Sequence, residues 1–247
     1  MYKFKCFFDP SQALAVKILR FLYPFWTIVA VASIMYPNSL VEIGNINLTA
    51  NNLLANEFLF NLSIAGGFIT QLIHILMVLL FWQLFKSINR NLAGLILVFG
   101  LISVPIAMFN SISLFAANLV ISSPYFVDSF TISQAQTLMM FFLNLNEKGL
   151  LIAQIFWGLW LFPIAFLIYQ SRFFHKIAGH FLIIAGMGYI LISFGKIIFP
   201  GAASSVFFTI FTIMSMGEIL FMLWVVIGGA KFPKDLDTHP KTNKSKT

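Results

Sequence analysis

Charge is what this sequence has least of. Only 9% of its 247 residues are charged and 60% are hydrophobic, whereas a soluble domain carries about 25% charged residues. The surplus of apolar residues comes in long blocks, so it indicates membrane spans rather than a larger soluble core. Cysteine is nearly absent. Cys6 stands alone, which excludes an intrachain disulfide. No CxxC, HExxH, Walker loop or GxGxxG occurs. No cofactor, metal or catalytic set is therefore expected, and an intramembrane enzyme ranks lowest among the readings. The formal net charge of +7 does not point to nucleic acid, because the charges fall between apolar blocks and in a tail.

Six apolar blocks occupy residues 17–36, 58–85, 92–121, 149–170, 181–200 and 207–229. Each is long enough to cross a bilayer as a helix. The fold class is therefore all-α, an integral membrane bundle of six transmembrane helices forming one domain over 1–230. A basic cytoplasmic tail follows at 231–247. Asp9-Pro10 reads as a helix start. Residues 131–145, between spans three and four, read as a short amphipathic helix. Pro105 inside span three is expected to kink it.

Orientation follows from lysine and arginine. Residues 38–57 have neither. Lys3, Lys5, Lys17, Arg20, Lys86, Arg90, Arg172, Lys176 and the tail lysines lie at the end that carries both termini. The opposite end holds only Lys148, while Lys196 lies inside a span. The positive-inside rule then places both termini in the cytoplasm.

The informative polar groups are those inside the blocks. Ser63, Gly67, Thr70, Gln71 and His74 share one face of span two by helical spacing. Ser103, Ala107, Asn110 and Ala117 do the same in span three. In span six Ser215 precedes Glu218, the one charged residue of that block, by three positions. Lipid offers such groups no hydrogen-bonding partners, so these faces should turn inward. His74 lies 11 residues before Phe85 and Glu218 lies 11 before Gly229, so both have similar depth and would meet if spans two and six were neighbours. Lys196 is offset from Glu218 by roughly 12 Å along the helices and should snorkel to the distal interface. Glycines at 179, 186, 188 and 195 are expected to admit close helix contact on span five.

Several segments carry a resemblance. Phe156-Trp157-Gly158, the Leu167–Ser171 ending with Tyr169 and Ser171, the run Ala185-Gly186-Met187-Gly188-Tyr189, and Gly217-Glu218 followed by Trp224 are four of them. The link from Phe85 to Ala93 and the stretch 134–142 are two more. Together they resemble the bacterial domain-of-unknown-function family 4386 (DUF4386). The resemblance implies a multi-span bacterial membrane protein and no established reaction, ligand or partner. Similar sequences often carry an acid in span two, where this chain has His74. They often carry Asp in span five, where it has Ile192. The acidic cluster that the resemblance implies is reduced here to Glu218.

The functional reading from sequence is a binding or accessory membrane protein for a lipid, an apolar small molecule or a partner protein, with the lipid bilayer as its surroundings. The alternative is a small transporter or proton-linked carrier using Glu218 and His74. Candidate ligand or proton positions are Glu218, His74, Gln71, Ser215 and Asn110.

Overall fold

The computed structural model describes residues 11–171, 173–202 and 206–230. Asp9-Pro10, Cys6 and the lysine tail lie outside them. Six helical stretches are long and apolar enough to cross a membrane, and no strand occurs among the described residues. The chain is an integral membrane bundle. Span one is α1 (Gln12–Ser39) and span two is α3 (Glu57–Phe85). Span three joins α4 (Arg90–Asn110) to α5 (Ile112–Ser122), and span four joins α7 (Ile132–Leu159) to α8 (Leu161–Ser171). Span five is α9 (Lys176–Ile198), and span six joins α10 (Val206–Ser215) to α11 (Gly217–Gly228). Two short helices, α2 (Ile46–Ala55) and α6 (Pro124–Ser129), fill the connections before spans two and four.

Local chemistry explains the helix ends. Ser11 caps α1, its hydroxyl accepting from the Leu14 amide at 3.3 Å, so the helix starts before residue 17. Asn45 caps α2 inside the lysine-free segment. Thr131 and Gln134 form a capping box that starts α7. Nothing stops that helix before Leu159, so residues 131–145 are its first turns rather than a separate amphipathic helix. The short helix of that connection is α6, with Pro124 in its first turn.

Three spans are interrupted. Span four breaks at Trp160, where Pro163 has no N–H for the Leu159 carbonyl. Span three runs through Pro105 and breaks only at Ser111. Span six breaks at Met216.

The spans form a ring in chain order. Each packs on the next, and span six returns to span one. Only the α11 half makes that closure. The α10 half packs on span five and on α11, and makes no contact with span one. The backbones of spans two and six do not approach each other, because span one stands between them, and the two spans meet only through side chains such as the Phe81 and Phe221 rings, 6.1 Å apart.

Span five is the most closely approached helix. Gly179 and Gly186 lie against span four, at Ala165, Tyr169, Gly158 and Phe162. Gly188 and Gly195 lie against span six, at Phe211, Ser215 and Phe208. Its glycines thus thin two faces rather than one. Lipid tails are as apolar as these side chains, so the gain comes from close backbone packing rather than from escape from water.

Two cores result. A large one near the termini contains Phe81, Phe85, Trp160, Phe173 and Phe221. A smaller distal one joins Leu53 of α2 to Phe60, Ile64, Ala117 and Met139. Polar clips hold the terminal end. Gln12 donates to the Leu84 carbonyl and the Ser87 hydroxyl, both at 2.8 Å. Arg20 donates twice to the Val226 carbonyl, at 2.9 and 2.6 Å, where the exposed carbonyls of a helix C-terminus attract a cation.

Candidate functional site

Between the two cores the bundle encloses a cavity of about 370 Å³. All three span breaks reach it, through Ser111, Trp160 and Ser215-Met216. So does the whole polar face of span two, from Ser63 through Gly67, Thr70 and Gln71 to His74.

At its inner end stands Glu218, in the first turn of α11 and buried. The amides of that turn favour a carboxylate there. Its two oxygens accept from two hydroxyls. Tyr23 of span one donates to Oε1 at 3.0 Å and Tyr189 of span five donates to Oε2 at 2.8 Å. Gly217 sets this geometry, since it lies against the Phe181 carbonyl with no room for a side chain. Glu218 therefore ties spans one, five and six together where span six bends.

His74 is not the partner of Glu218. It is 1% exposed, stacked on Trp26 at 5.7 Å and set edge-on to Trp160 at 4.8 Å between ring centres. Neither ring nitrogen has a well-formed hydrogen bond, although the Gly100 main chain lies close to the ring. Both residues line the cavity, but span one stands between their helices at this point and supplies Tyr23 to Glu218 and Trp26 to His74. Trp26 is held by its own N–H, which donates to the Thr70 carbonyl at 3.1 Å. One turn from His74, Gln71 is buried and its Oε1 also has no partner. A buried polar atom left unpaired costs about 1–3 kcal/mol, and in native structures such atoms usually meet a water or a ligand.

The other candidates do different work. Ser215 lines the cavity but bonds back to the Thr212 carbonyl at 2.7 Å. Asn110 exchanges amide bonds with Asn146 across spans three and four, 2.9 Å one way and 3.3 Å the other. That pair braces the break at Ser111 beside Gly149, whose missing side chain makes room for Asn110. Lys196 pairs with Glu147 at 3.6 Å near the distal end, well away from Glu218. Ile192 is buried in span five. Ser171 accepts from the Phe173 amide in the turn after span four.

Gly186 and Gly188 are packing positions. Tyr169 and Trp224 border a second hollow of about 670 Å³ at the terminal end, where Trp224 stacks on His175 at 5.9 Å. His175 and Lys176 in its wall are exposed, so it faces the water side. The inner cavity is the stronger candidate because three buried unpaired atoms, on Gln71 and His74, belong to its wall, against one, the Tyr169 hydroxyl, in the wall of the second hollow. Among the described residues no group of His, Cys, Asp and Glu is placed to hold a metal.

Sequence reasoning missed Tyr23, Trp26 and Trp160 as walls of this cavity. Tyr23 lies 11 residues into α1 from Gln12, the depth already assigned to Glu218. From the span start that the sequence suggests, Lys17, it is only six residues deep, so the match appears only once the helix is seen to begin at Gln12.

Comparison with known proteins gives a family and no function. The model of a domain of unknown function (DUF4386) matches residues 20–229. An uncharacterised protein of Archaeoglobus fulgidus is 36% identical over 85 residues, 34% of this chain and 48% of that protein. The match thus takes in about half the length of that relative. No solved structure matches.

Proposed function

We propose that this chain, which belongs to the DUF4386 family, is a bacterial inner-membrane protein, termini inside, that binds a small apolar or amphiphilic molecule within its bundle. The observation that carries this reading is the cavity. Most of its wall is apolar and aromatic, with polar groups spaced along it from Asn38 and Ser63 to His74 and Glu218, the composition of a small-molecule site. Its volume is at the low end of the usual 300–1,000 Å³ range, so it suits one compact molecule or one chain.

Gly67 provides the test. It lines the cavity, and a side chain added there would meet nothing within 4 Å. Gly67→Phe should fill the cavity while the fold stands. Gly94→Phe, on span three and equally unobstructed, is the control. Native mass spectrometry from mild detergent should show a retained small molecule in the wild type and in Gly94→Phe, and none in Gly67→Phe. Identical occupancy in all three would sink the reading.

The three interrupted spans favour a second reading, a carrier. Discontinuous membrane helices often meet at a transported substrate. That reading requires flux in proteoliposomes, with Glu218→Gln altering its pH dependence.

A further inference from the structure

The cavity's own chemistry narrows its ligand, on the premise that the cavity holds one. Among the described residues no lysine or arginine lines it, and the one charged residue in its wall is Glu218. An anionic head would meet repulsion with no counter-charge. The unpaired atoms are Gln71 Oε1 and both ring nitrogens of His74. The amide oxygen only accepts. A neutral imidazole has one nitrogen that donates and one that accepts. An ammonium head would have to shed its water without a free counter-charge, because both Glu218 oxygens already accept from Tyr23 and Tyr189. A hydroxyl both donates and accepts.

The route in is also visible. Span six bends at Met216, and only its α11 half reaches span one. Beyond the bend, α10 leans on span five and leaves the distal half of span one uncovered. Val31, Ile34, Met35 and Met216 line the cavity and are at the same time exposed, at 44, 38, 64 and 46%. Residues that line a cavity inside a bundle and also face outward mark its window. At this depth the window faces lipid rather than water.

We propose that the ligand is a membrane-dissolved amphiphile with an uncharged hydroxyl head. It passes sideways between span one and α10, its head at Gln71 and His74 and its chain towards Val31 and Met35.

The experiment uses the full chain in nanodiscs and three probes of equal chain length: monooleoylglycerol, oleate and oleylamine. Monooleoylglycerol should bind at least tenfold more tightly than the other two. Gln71→Leu and His74→Phe should each weaken it at least fivefold, while melting without ligand stays near wild type. His74→Phe keeps the aromatic stack, so it separates the lost nitrogens from lost packing. Equal binding of the three probes, or preference for a charged one, overturns the head assignment. Gly67→Phe still emptying a cavity that shows no such preference would leave the binding function standing and only this inference refuted. For the route, Val31→Trp should slow probe exchange severalfold, and Asn38→Trp at the distal mouth should not. The reverse result overturns the sideways path.

Discussion

Replacing Tyr23 by Phe removes one oxygen from the most constrained point of the bundle. The ring of Tyr23 sits edge-on to Trp26, Phe81 and Phe221, with centres 5.9, 6.1 and 6.2 Å away. Phenylalanine keeps all three contacts, so the loss isolates the 3.0 Å bond to Glu218. Hydrogen bonds between membrane helices average about 0.6 kcal/mol and reach about 1.7. Because this acceptor is a carboxyl group at a helix N-terminus, a loss of about 1 kcal/mol is expected. Glu218→Leu is more severe, since it strands the hydroxyls of both Tyr23 and Tyr189. At about 1–3 kcal/mol per stranded group, the cost should be about 2–6 kcal/mol. The informative number is the coupling. In the Glu218→Leu background Tyr23→Phe should cost nothing or stabilise slightly, because it removes a hydroxyl that already lacks its acceptor. Reversible unfolding in bicelles by steric trapping, run as a double-mutant cycle, measures this directly. If Tyr23→Phe costs the same in both backgrounds, the hydroxyl does not act through Glu218 and the three-span junction is refuted.

Other consequences follow from the same contacts. Gly188→Ala would place a carbon against the Phe211 carbonyl and the Ser215 amide, neither of which can rotate away. It should cost about 1–3 kcal/mol by overpacking, whereas Gly94→Ala, which meets nothing, should leave the melting temperature unchanged or higher. Arg20→Gln should loosen the end of span six, read as faster hydrogen exchange over residues 224–229 with little change elsewhere. Asn110→Ala and Asn146→Ala should lower the melting temperature additively, because each side-chain amide donates to a main-chain carbonyl that the other substitution leaves in place; strongly non-additive losses in thermal melts would show that the two bonds do not act separately.

The architecture is legible in the sequence because a bilayer leaves few choices. With no water in the hydrocarbon, a run of 20 apolar residues must satisfy its backbone internally as a helix. Counting such runs therefore finds the spans, and the lysine and arginine distribution separates the two ends. The inward faces are legible for the same reason: Ser63 to His74 of span two all line the cavity. Residues 131–145 were harder. A polar helix outside the membrane and the first turns of a long span have the same local pattern, and only the absence of a stop before Leu159 separates them.

Which helix stands beside which is a different kind of information. Depth along a span can be counted, and His74 and Glu218 both reach the one cavity. Azimuth around the ring depends on how six helices pack together, and no single span encodes it. That packing put span one between spans two and six and gave Glu218 two tyrosines. It left His74 between two tryptophans with its nitrogens unpaired, and it turned α10 away from span one. By itself the sequence determined six helices, their polar faces and the depth of each buried group. Tertiary structure alone decided which groups meet, because in lipid the packing of small residues, here the glycines of span five, chooses the neighbours.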